Sequence, residues 1–439
     1  MNIIVICLDT LRRDFLGCYG NNDIRTPFID AFAKKTAKFN SAYIGSFPTI
    51  PMRVDTYTGR TNWPAYGWKA PDPGQRTLQQ YLKEAGFGTC LVYDTPHYNS
   101  SGLNKCFDEA FFIKKPVEDG VSPGDIVLPF PRENVRQDGS LYITDKVQTS
   151  HYKYESDWFV SRTMIKAGDW LEDNYRKDGF FLWVDTFEIH EDWNTPDYYI
   201  EMYSRDYQGI DYSYPNYGYT DIYSKNEIER LKARYSAEVT LTDKWTGFLL
   251  KKIEDMDLLK NTMVVITSDH GMYLGEHGRM GKHTVLEDDP WPLYEEVSAV
   301  PLLIYTPWQP TFREYNGLVE PSDLMPTFLD VLNIPFDSKG LTGKSILPVL
   351  NNKKAYTKDR IFSSAYGGDG PGRISYLTTW ATVISQDWYL AVDPGGRNHE
   401  LYRRHLPQCG EYECSRRFPG VTASMLQDLE NFTGGIMKE

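Results

Sequence analysis

Residues 263–271 read Met-Val-Val-Ile-Thr-Ser-Asp-His-Gly, a short apolar run followed at once by polar residues. The apolar part predicts a buried β-strand, with Asp269 and His270 at its carboxyl end. A carboxylate and an imidazole on a rigid strand can bind one divalent cation, and Lys282 could add a positive charge beside it. A plain turn explains the same residues, so the interpretation depends on partners elsewhere in the chain.

Strand-like and helix-like segments alternate around this run. Further strands are predicted at 2–8, 89–93, 180–185 and 302–305, and helices at 77–85, 224–253 and 323–332. This alternation favours an α/β fold in which a large, mixed, mostly parallel sheet is sandwiched by helices. We assign residues 1–351 to this domain.

The pattern changes after a polar linker near residue 352. Short alternating runs at 373–379 and 388–392, followed by a helical pattern at 425–431, predict a small antiparallel sheet with one helix. We assign residues 352–439 to a small C-terminal α+β subdomain.

The amino-acid composition limits which binding partners and which cellular compartment are expected for this protein. The 439 residues are 41% hydrophobic, enough for an extensive core, and carry a net charge of −13, which argues against nucleic acid or an anionic membrane as partner. The sequence shows neither a secretory signal nor an apolar stretch approaching the ~20 residues that span a bilayer. Six cysteines in so long a chain are expected to be reduced thiols, which favours the cytoplasm. The oligomeric state stays open, a homo-oligomer included.

A second acidic residue follows the first predicted strand. Asp9 comes directly after Leu8, and the carboxyl ends of parallel strands form the ligand-binding edge of an open α/β sheet. Together with Asp269 and His270, it would make most of a site for one divalent cation. A single Asp after a strand is also a common helix cap, so Asp9 alone is ambiguous.

The segment from Thr49 to Arg53 predicts the start of a helix. Pro51 is tolerated in a first turn, with Thr49 at or next to the N-cap. The unpaired N–H groups and the dipole of that helix end suit a tetrahedral anion, and Arg53 lies one turn further along. The competing interpretation is that Thr49 merely caps the helix.

Two insertions interrupt the pattern, at about 113–153 and 191–223. The second carries nine tyrosines between Tyr198 and Tyr223. Tyrosine combines a large contact area with a polar tip. The segment therefore predicts either an aromatic wall over a substrate, or a folded surface excursion or subunit interface.

These motifs, in this order, resemble the sulfatase family of the alkaline phosphatase superfamily. The resemblance rests on three pairs of neighbouring segments, residues 9–14 and 16–20, residues 49–53 and 58–60, and residues 267–271 and 274–278. Further along the chain it rests on Lys282 and on residues 301–304, 323–327, 345–348 and 400–402. It covers nearly all of the large domain. It implies an alkaline phosphatase-like fold and metal-dependent hydrolysis of a small anionic ester.

Two departures from the family pattern bear on which ester is cleaved. Thr49 stands where sulfatases carry the Cys or Ser that is oxidised to formylglycine, and Thr is not expected to be converted. Nucleotide pyrophosphatases of the same superfamily use a Thr nucleophile. Tyr93 and Thr95 resemble the Tyr-x-Thr of phosphonate monoester hydrolases and are predicted to bind substrate. A phosphodiester or phosphonate monoester is therefore favoured; an aryl or carbohydrate sulfatase and an inactive anion-binding protein are the alternatives.

The resemblance also implies a metal-ligand set. Asp9, Asp269, His270 and the Thr49 oxygen are expected to hold one divalent ion, Mn²⁺, Ca²⁺, Mg²⁺ or Zn²⁺. Thr10 stands where many sulfatases have a second metal-binding Asp, which indicates an altered or reduced ligand set.

The remaining site residues are expected to act on the ester itself. Arg53 and Lys282 are predicted to neutralise its nonbridging oxygens. His190 or His283 is predicted to protonate the departing alcohol, a role suited to a group that titrates near neutrality.

Overall fold

Two sheets and their flanking helices form the framework of the chain. The computed structural model describes residues 1–64, 67–114, 122–282, 289–352, 358–365, 379–404 and 406–435. The strands are β1 (Asn2–Leu8), β2 (Ala37–Phe39), β3 (Ser46–Phe47), β4 (Gly88–Tyr93), β5 (Glu109–Phe112), β6 (Phe180–Thr186), β7 (Gly218–Tyr219), β8 (Thr262–Thr267), β9 (Tyr273–Leu274), β10 (Arg279–Gly281), β11 (Leu302–Tyr305), β12 (Arg313–Tyr315), β13 (Ile361–Ala365), β14 (Ala381–Ile384), β15 (Trp388–Val392) and β16 (His399–Arg403). The α-helices are α1 (Pro27–Ala33), α2 (Thr49–Thr58), α3 (Leu78–Glu84), α4 (His97–Ser101), α5 (Ser140–Thr149), α6 (Phe159–Asn174), α7 (Asp197–Ile200), α8 (Lys225–Asp255), α9 (Glu295–Ser298), α10 (Leu324–Val331), α11 (Leu347–Leu350) and α12 (Pro419–Thr433).

The large sheet has eight strands in the order β12-β2-β11-β8-β1-β6-β4-β5. The strands from β8 to β5 are parallel to their neighbours, and β11 runs antiparallel to both β8 and β2. The predicted mixed, mostly parallel sheet is therefore confirmed. Because β1, β4, β6 and β8 point the same way, the residues that follow them meet at one edge of the sheet.

Helices cover both faces of this sheet, which explains why its central strand is apolar from Ile3 to Leu8. Ile3 and Val5 of β1 pack into the core shared with α2, α3 and α10. Ile4 and Ile6 face the opposite core, shared with α6 and α8. Successive side chains of a strand point to opposite faces, so a strand buried on both sides has no face exposed to solvent.

The small sheet has the order β16-β15-β14-β13-β3, and α12 packs on it through Met425 and Leu429. Its four C-terminal strands pair antiparallel, as predicted. The predicted strand at 373–379 lies almost entirely outside the described residues, and the boundary near 352 stays a prediction. The fifth strand is β3, which pairs parallel with β13 and ends two residues before Thr49. Strand pairing with the C-terminal segment therefore fixes the position of the residues just before Thr49.

The tyrosine-rich segment folds against the large domain. Tyr212 and Tyr217 are buried, whereas Tyr198 is exposed. Tyr214 lines a cleft that is described below. The segment is thus a folded excursion that supplies one aromatic ring to a cavity, and its predicted roles over a substrate or at a subunit interface stay predictions.

All six cysteines are thiols. Within the described ranges, no helix has the length and apolar character needed to cross a bilayer.

A buried carboxylate of α8 anchors the start of α1. Asp243 accepts hydrogen bonds from the backbone N–H groups of Phe28 (3.1 Å) and Ile29 (2.7 Å). These groups belong to a first helical turn, which has no internal acceptors for them. Burial nevertheless raises the pKa of Asp243 to about 7.

We predict that Asp243→Asn flattens the pH dependence of stability in mild acid. A carboxyl group whose pKa is raised on folding keeps a proton that the unfolded chain has released. The contribution of this group to the stability of the folded protein is therefore present below about pH 4 and is lost as the pH rises through about 7. The free energy of unfolding is measured with urea at two pH values within this window. As the pH rises from the lower to the higher value, the free energy of unfolding of the wild type should fall by about 1 kcal/mol or more relative to that of the variant. Asp173→Asn, on the exposed face of α6, should behave like the wild type. Equal losses in the wild type and in Asp243→Asn would contradict the prediction.

Candidate active site

Three acidic residues converge at the carboxyl edge of the large sheet. Asp9 follows β1, Asp269 comes two residues after β8, and Asp185 is the next-to-last residue of β6. Because β1 pairs with both β6 and β8, the three carboxylates come from adjacent strands. Each is fully buried.

Arg53 of α2 binds all three carboxylates. Its Nε and Nη2 donate to Asp185 at 2.8 and 2.6 Å, Nη2 also donates to Asp9 at 3.2 Å, and Nη1 donates to Asp269 at 2.8 Å. Nη1 also donates to the carbonyl of Thr49 at 2.8 Å. Burial opposes the charge, but the carboxylates, led by Asp185, hold the pKa of Arg53 well above its ordinary value. The guanidinium is thus directed at the protein, so Arg53 organises the carboxylates and acts on an anion through its charge.

Asp9, Asp269 and His270 fit the predicted divalent cation. Each offers one ligand atom, and these atoms lie within 4.8 Å of one another. Nδ1 of His270 donates to the carbonyl of Gly271 at 2.9 Å, which leaves the lone pair on Nε2. Burial lowers the pKa of His270 to about 3, so the ring is neutral, as a metal ligand must be. Burial and repulsion from Asp269 raise the pKa of Asp9 well above its ordinary value, although Arg53 and Lys282 oppose the rise.

Thr10 holds the two carboxylate ligands in place. Its amide donates to Asp269 at 2.9 Å and its hydroxyl donates to Asp9 at 2.7 Å. Its φ of 62° is uncommon for a β-branched residue, and Tyr235 supports it by donating to its carbonyl at 2.7 Å. Thr10, predicted to signal a reduced ligand set, orients the two ligands instead of adding a third carboxylate.

Thr49 is the first residue of α2 and is 2% exposed. It therefore lies next to the N-cap, which is Pro48. In the first turn, the N–H groups available to a ligand are those of Thr49 and Ile50, because Pro48 and Pro51 have none.

Lys282 lies beside the metal-ligand cluster. Its Nζ is 3.5 Å from Nε2 of His270, and its side chain is 5% exposed. Its charge contributes to lowering the pKa of both Asp269 and His270. His283, the alternative acid, is outside the described residues.

His190 lies on the loop after β6, at the same edge of the sheet. The preceding residue, Ile189, donates its N–H to the carbonyl of Asp9 at 3.1 Å. The His190 ring stacks on Phe187 at 4.0 Å between centroids, and its Nδ1 is 2.8 Å from the carbonyl of Glu191. A carbonyl only accepts, so Nδ1 carries a hydrogen and proton exchange falls to Nε2.

Tyr93 and Thr95 are both buried at the end of β4. The Tyr93 hydroxyl donates to Asn99 at 2.6 Å, and the Thr95 hydroxyl accepts from the backbone of His97 at 3.4 Å. These contacts tie both residues to α4. Their role in binding substrate stays a prediction.

Asp185 is a site residue that sequence reasoning missed. Besides Arg53, it accepts from the Tyr98 hydroxyl at 2.8 Å and from Nε1 of Trp183 at 2.7 Å. Its signal in the sequence was a lone charge near the carboxyl end of an apolar strand. Such a group is buried only when it is paired.

The fold and the cluster of Asp9, Asp269 and His270 at the sheet edge are typical of hydrolases that use a divalent cation, because such a cation is bound by carboxylate and imidazole groups. Residues 1–334 match the family described as Sulfatase, so the chain belongs to the sulfatase family. The resemblance stated from the sequence is thereby confirmed.

Curated relatives extend over most of the chain. The uncharacterised sulfatase YidJ of Escherichia coli is 25% identical over 418 residues, which cover 88% of this chain and 78% of that protein. Iduronate 2-sulfatase of Mus musculus is 24% identical over 402 residues, which cover 76% of this chain and 69% of that protein.

Solved structures share the fold at low identity. The phosphonate monoester hydrolase of Agrobacterium radiobacter superposes with a TM-score of 0.74 at 16% identity, covering 98% of this chain and 95% of the other. BT4656, solved in complex with its substrate D-glucosamine-2-N,6-O-disulfate, superposes with a TM-score of 0.73 at 18% identity, covering 99% of this chain and 98% of the other. Both confirm the predicted α/β architecture.

Gly271→Ala should displace His270. A Cβ at Gly271 would lie 2.1 Å from the backbone oxygen of Glu296, so the chain beside His270 would have to shift. We expect Mn²⁺ affinity, measured by calorimetry, to fall about 10- to 100-fold, as when a metal ligand loses its support. Gly420→Ala is the control, since its Cβ would meet open space. Wild-type Mn²⁺ affinity in Gly271→Ala would refute the prediction.

Asp185→Asn should damage the site through Arg53. The change keeps the side-chain shape but removes the charge that faces the guanidinium, and breaking a buried ion pair costs about 3 kcal/mol. Chemical unfolding should show that loss, and ester hydrolysis should fall at least about tenfold, since a 1 Å misplacement can cost about 100-fold. Tyr98→Phe, which removes one neutral donor to Asp185, should cost about 1 kcal/mol. Equal effects of the two variants would count against the charge argument.

Proposed function

We propose that this chain hydrolyses a singly charged phosphorus ester, a phosphodiester or phosphonate monoester, with Thr49 as nucleophile and one divalent cation. The observation that carries the proposal is the position of Thr49 at the start of α2. Its carbonyl is bound by Arg53, which also binds Asp9 and Asp269.

The charge of the site suits a monoanion. With Asp9 ionised, as ligation of a metal requires, the carboxylates of Asp9, Asp185 and Asp269 outnumber the cationic groups of Arg53 and Lys282 by one, so these side chains leave one negative charge. A divalent cation changes this to one positive charge. Phosphodiesters and phosphonate monoesters carry one negative charge near neutral pH, whereas a phosphate monoester is largely dianionic, so the balance favours the first two.

The residues divide the chemistry between ligation and catalysis. Asp9, Asp269, His270 and the Thr49 oxygen would hold the cation. When bound, it supplies positive charge that stabilises the oxygens of the ester and eases loss of a proton from a hydroxyl. His190 would donate a proton to the oxygen of the departing alcohol.

The proposed reaction has two displacements at phosphorus. Oγ of Thr49 attacks in line, and the bond from phosphorus to the alcohol oxygen breaks, which leaves the phosphorus group esterified to Thr49. Lys282 neutralises charge on the other oxygens, and protonated His190 gives its proton to the departing oxygen. Neutral His190 then takes a proton from the water that attacks phosphorus, and the Thr49 oxygen leaves and regains from solvent the proton that its hydroxyl had released to solvent before the first attack.

The side chain of Thr49 favours phosphorus over sulfur. A formylglycine hydrate expels sulfate by elimination, a route that needs two oxygens on one carbon. A sulfate ester of Thr49 would instead have to be hydrolysed by water at sulfur. Covalent catalysis through a plain hydroxyl therefore suits phosphoryl chemistry better.

A sulfate ester is the second candidate. Sulfate monoesters are also monoanions, and the curated relatives described above are named as sulfatases. An inactive anion-binding protein is a third candidate. It is less favoured, because the chain retains Arg53, His190 and Lys282, the residues expected to act on the ester, together with the predicted metal ligands.

The test is a panel of aryl sulfate, phosphate monoester, phosphodiester and phosphonate monoester substrates, each assayed with Mn²⁺, Ca²⁺, Mg²⁺ and Zn²⁺. We expect phosphodiester or phosphonate turnover to exceed sulfate turnover by at least about tenfold. Thr49→Ala should lower kcat by about 1,000-fold or more through loss of the nucleophile, whereas Thr49→Ser should retain activity.

Thr56→Ala is the matched control in the same helix. Thr56 is buried and its hydroxyl donates to the carbonyl of Met52, so its loss should affect stability and leave kcat within a few-fold. Sulfate preference would favour the second candidate. Full activity in Thr49→Ala would reject the nucleophile, and metal binding without turnover of any ester would favour the third candidate.

A further inference from the structure

A cleft of about 450 Å³ opens beside His190. The loop of His190 touches the carbonyl of Asp9 through Ile189, so the cleft adjoins the edge where the ester would bind. Its volume falls within the range of small-molecule sites. A group held there would be next to the residue proposed to protonate the leaving alcohol.

Aromatic rings form much of the cleft wall. The lining includes Phe112, Tyr152, Phe159, Phe187 and Tyr214, the last supplied by the tyrosine-rich segment. Phe187 is fixed by its stack on His190. Such walls bind apolar bodies, and the faces of aromatic rings also attract cations.

Three carboxylates, Glu188, Glu191 and Asp192, also line the cleft. None of the described lining residues is a Lys or Arg, and His190, whose Nδ1 lies 3.4 Å from a carboxylate oxygen of Glu191, is the described lining residue that can carry a positive charge. Glu188 accepts from the backbone N–H of Val160 at 2.9 Å, and Asp192 accepts from the side-chain amide of Asn194 at 2.7 Å. These donors are neutral, so they satisfy hydrogen bonds without cancelling the negative charge.

A fourth acidic group, Glu238, lies near these carboxylates. Glu238 is 1% exposed, and its Oε2 has no hydrogen-bond partner among the described residues. Burial, with repulsion from Glu188 and Asp192, raises the pKa of Glu238 well above its ordinary value. Burial and Asp94 likewise raise the pKa of Glu188 to about 8. A buried carboxylate without a counter-charge is costly, and a bound cation would offset that cost.

We propose that the cleft binds the leaving alcohol of the substrate and that this alcohol carries an ammonium group, recognised by Glu188, Asp192 and the aromatic wall. The inference rests on the proposed function for the identity of the reacting ester, and adds that the whole substrate is zwitterionic. A neutral sugar would leave the carboxylates uncompensated. An alcohol carrying a carboxylate or further sulfates would be repelled.

The test compares leaving alcohols of the same shape and different charge. Methyl phosphodiesters and sulfate esters are prepared from choline, from its neutral isostere 3,3-dimethylbutanol, from 4-hydroxybutyrate and from glucose. For the ester type that is turned over, we expect kcat/KM for the choline ester to exceed that of the neutral isostere at least tenfold. The 4-hydroxybutyrate ester should be the poorest. Equal or better turnover of the neutral isostere or of the glucose ester would overturn the proposal.

Variants of the cleft assign the effect to its carboxylates. Glu188→Gln and Asp192→Asn should each raise KM for the choline ester several-fold and leave KM for the 3,3-dimethylbutyl ester nearly unchanged. Two variants are used because Glu188 also supports the start of α6. Glu201→Gln, an exposed site with the same change of charge, is the control and should keep the choline preference. Loss of the preference in Glu201→Gln, or its retention in both cleft variants, would overturn the assignment.

Calorimetry with the free alcohols separates this proposal from the proposed function. Choline should bind the wild type more tightly than 3,3-dimethylbutanol, and the difference should disappear in Glu188→Gln and Asp192→Asn. If no ester is hydrolysed but choline binds in this way, the proposed function fails and the cleft assignment stands. If esters are hydrolysed and the two alcohols bind equally, the cleft assignment fails alone.

Discussion

The ion-paired cluster of Arg53 with Asp9, Asp185 and Asp269 sets the geometry of the site. A guanidinium or a carboxylate is costly to bury alone, and here each charge is stabilised by the others. The carboxylates come from or follow the adjacent strands β1, β6 and β8, and the guanidinium comes from α2. One set of contacts therefore fixes the helix that carries Thr49 to the strand ends that carry the metal ligands.

The site is also braced from parts of the chain that contribute no ligand to it. Strand β3 joins the C-terminal sheet through β13 just before Thr49, so the small sheet constrains the nucleophile candidate. On the other side, the loop after β6 contacts Asp9 through Ile189 and carries His190. The loop after β6 thus links the candidate metal site to the cleft, so the proposed chemistry at the ester and the proposed recognition of the alcohol would depend on one segment.

Local patterns predicted the fold and the principal site residues because strand ends and helix starts are visible in sequence. Asp9, Asp269 and His270 each follow an apolar run, and Thr49 precedes a proline suited to a first turn. Asp185 escaped detection because it lies inside an apolar strand, where its partners Arg53, Tyr98 and Trp183 are distant or unremarkable in sequence. The prediction that Tyr93 and Thr95 bind substrate came from the family resemblance alone. Their hydrogen bonds with residues of α4 do not test it.

The sequence by itself determined the α/β class, the family and the candidate metal-ligand residues Asp9, Asp269 and His270, because hydrophobic periodicity and short motifs are local properties. The tertiary structure decided how these residues are used. It directed the N–H groups of Arg53 at the protein, placed Lys282 beside His270, and gathered Glu188, Asp192 and Tyr214 around one cleft. Burial and through-space charge depend on contacts between segments far apart in the chain, so sequence spacing could not predict them.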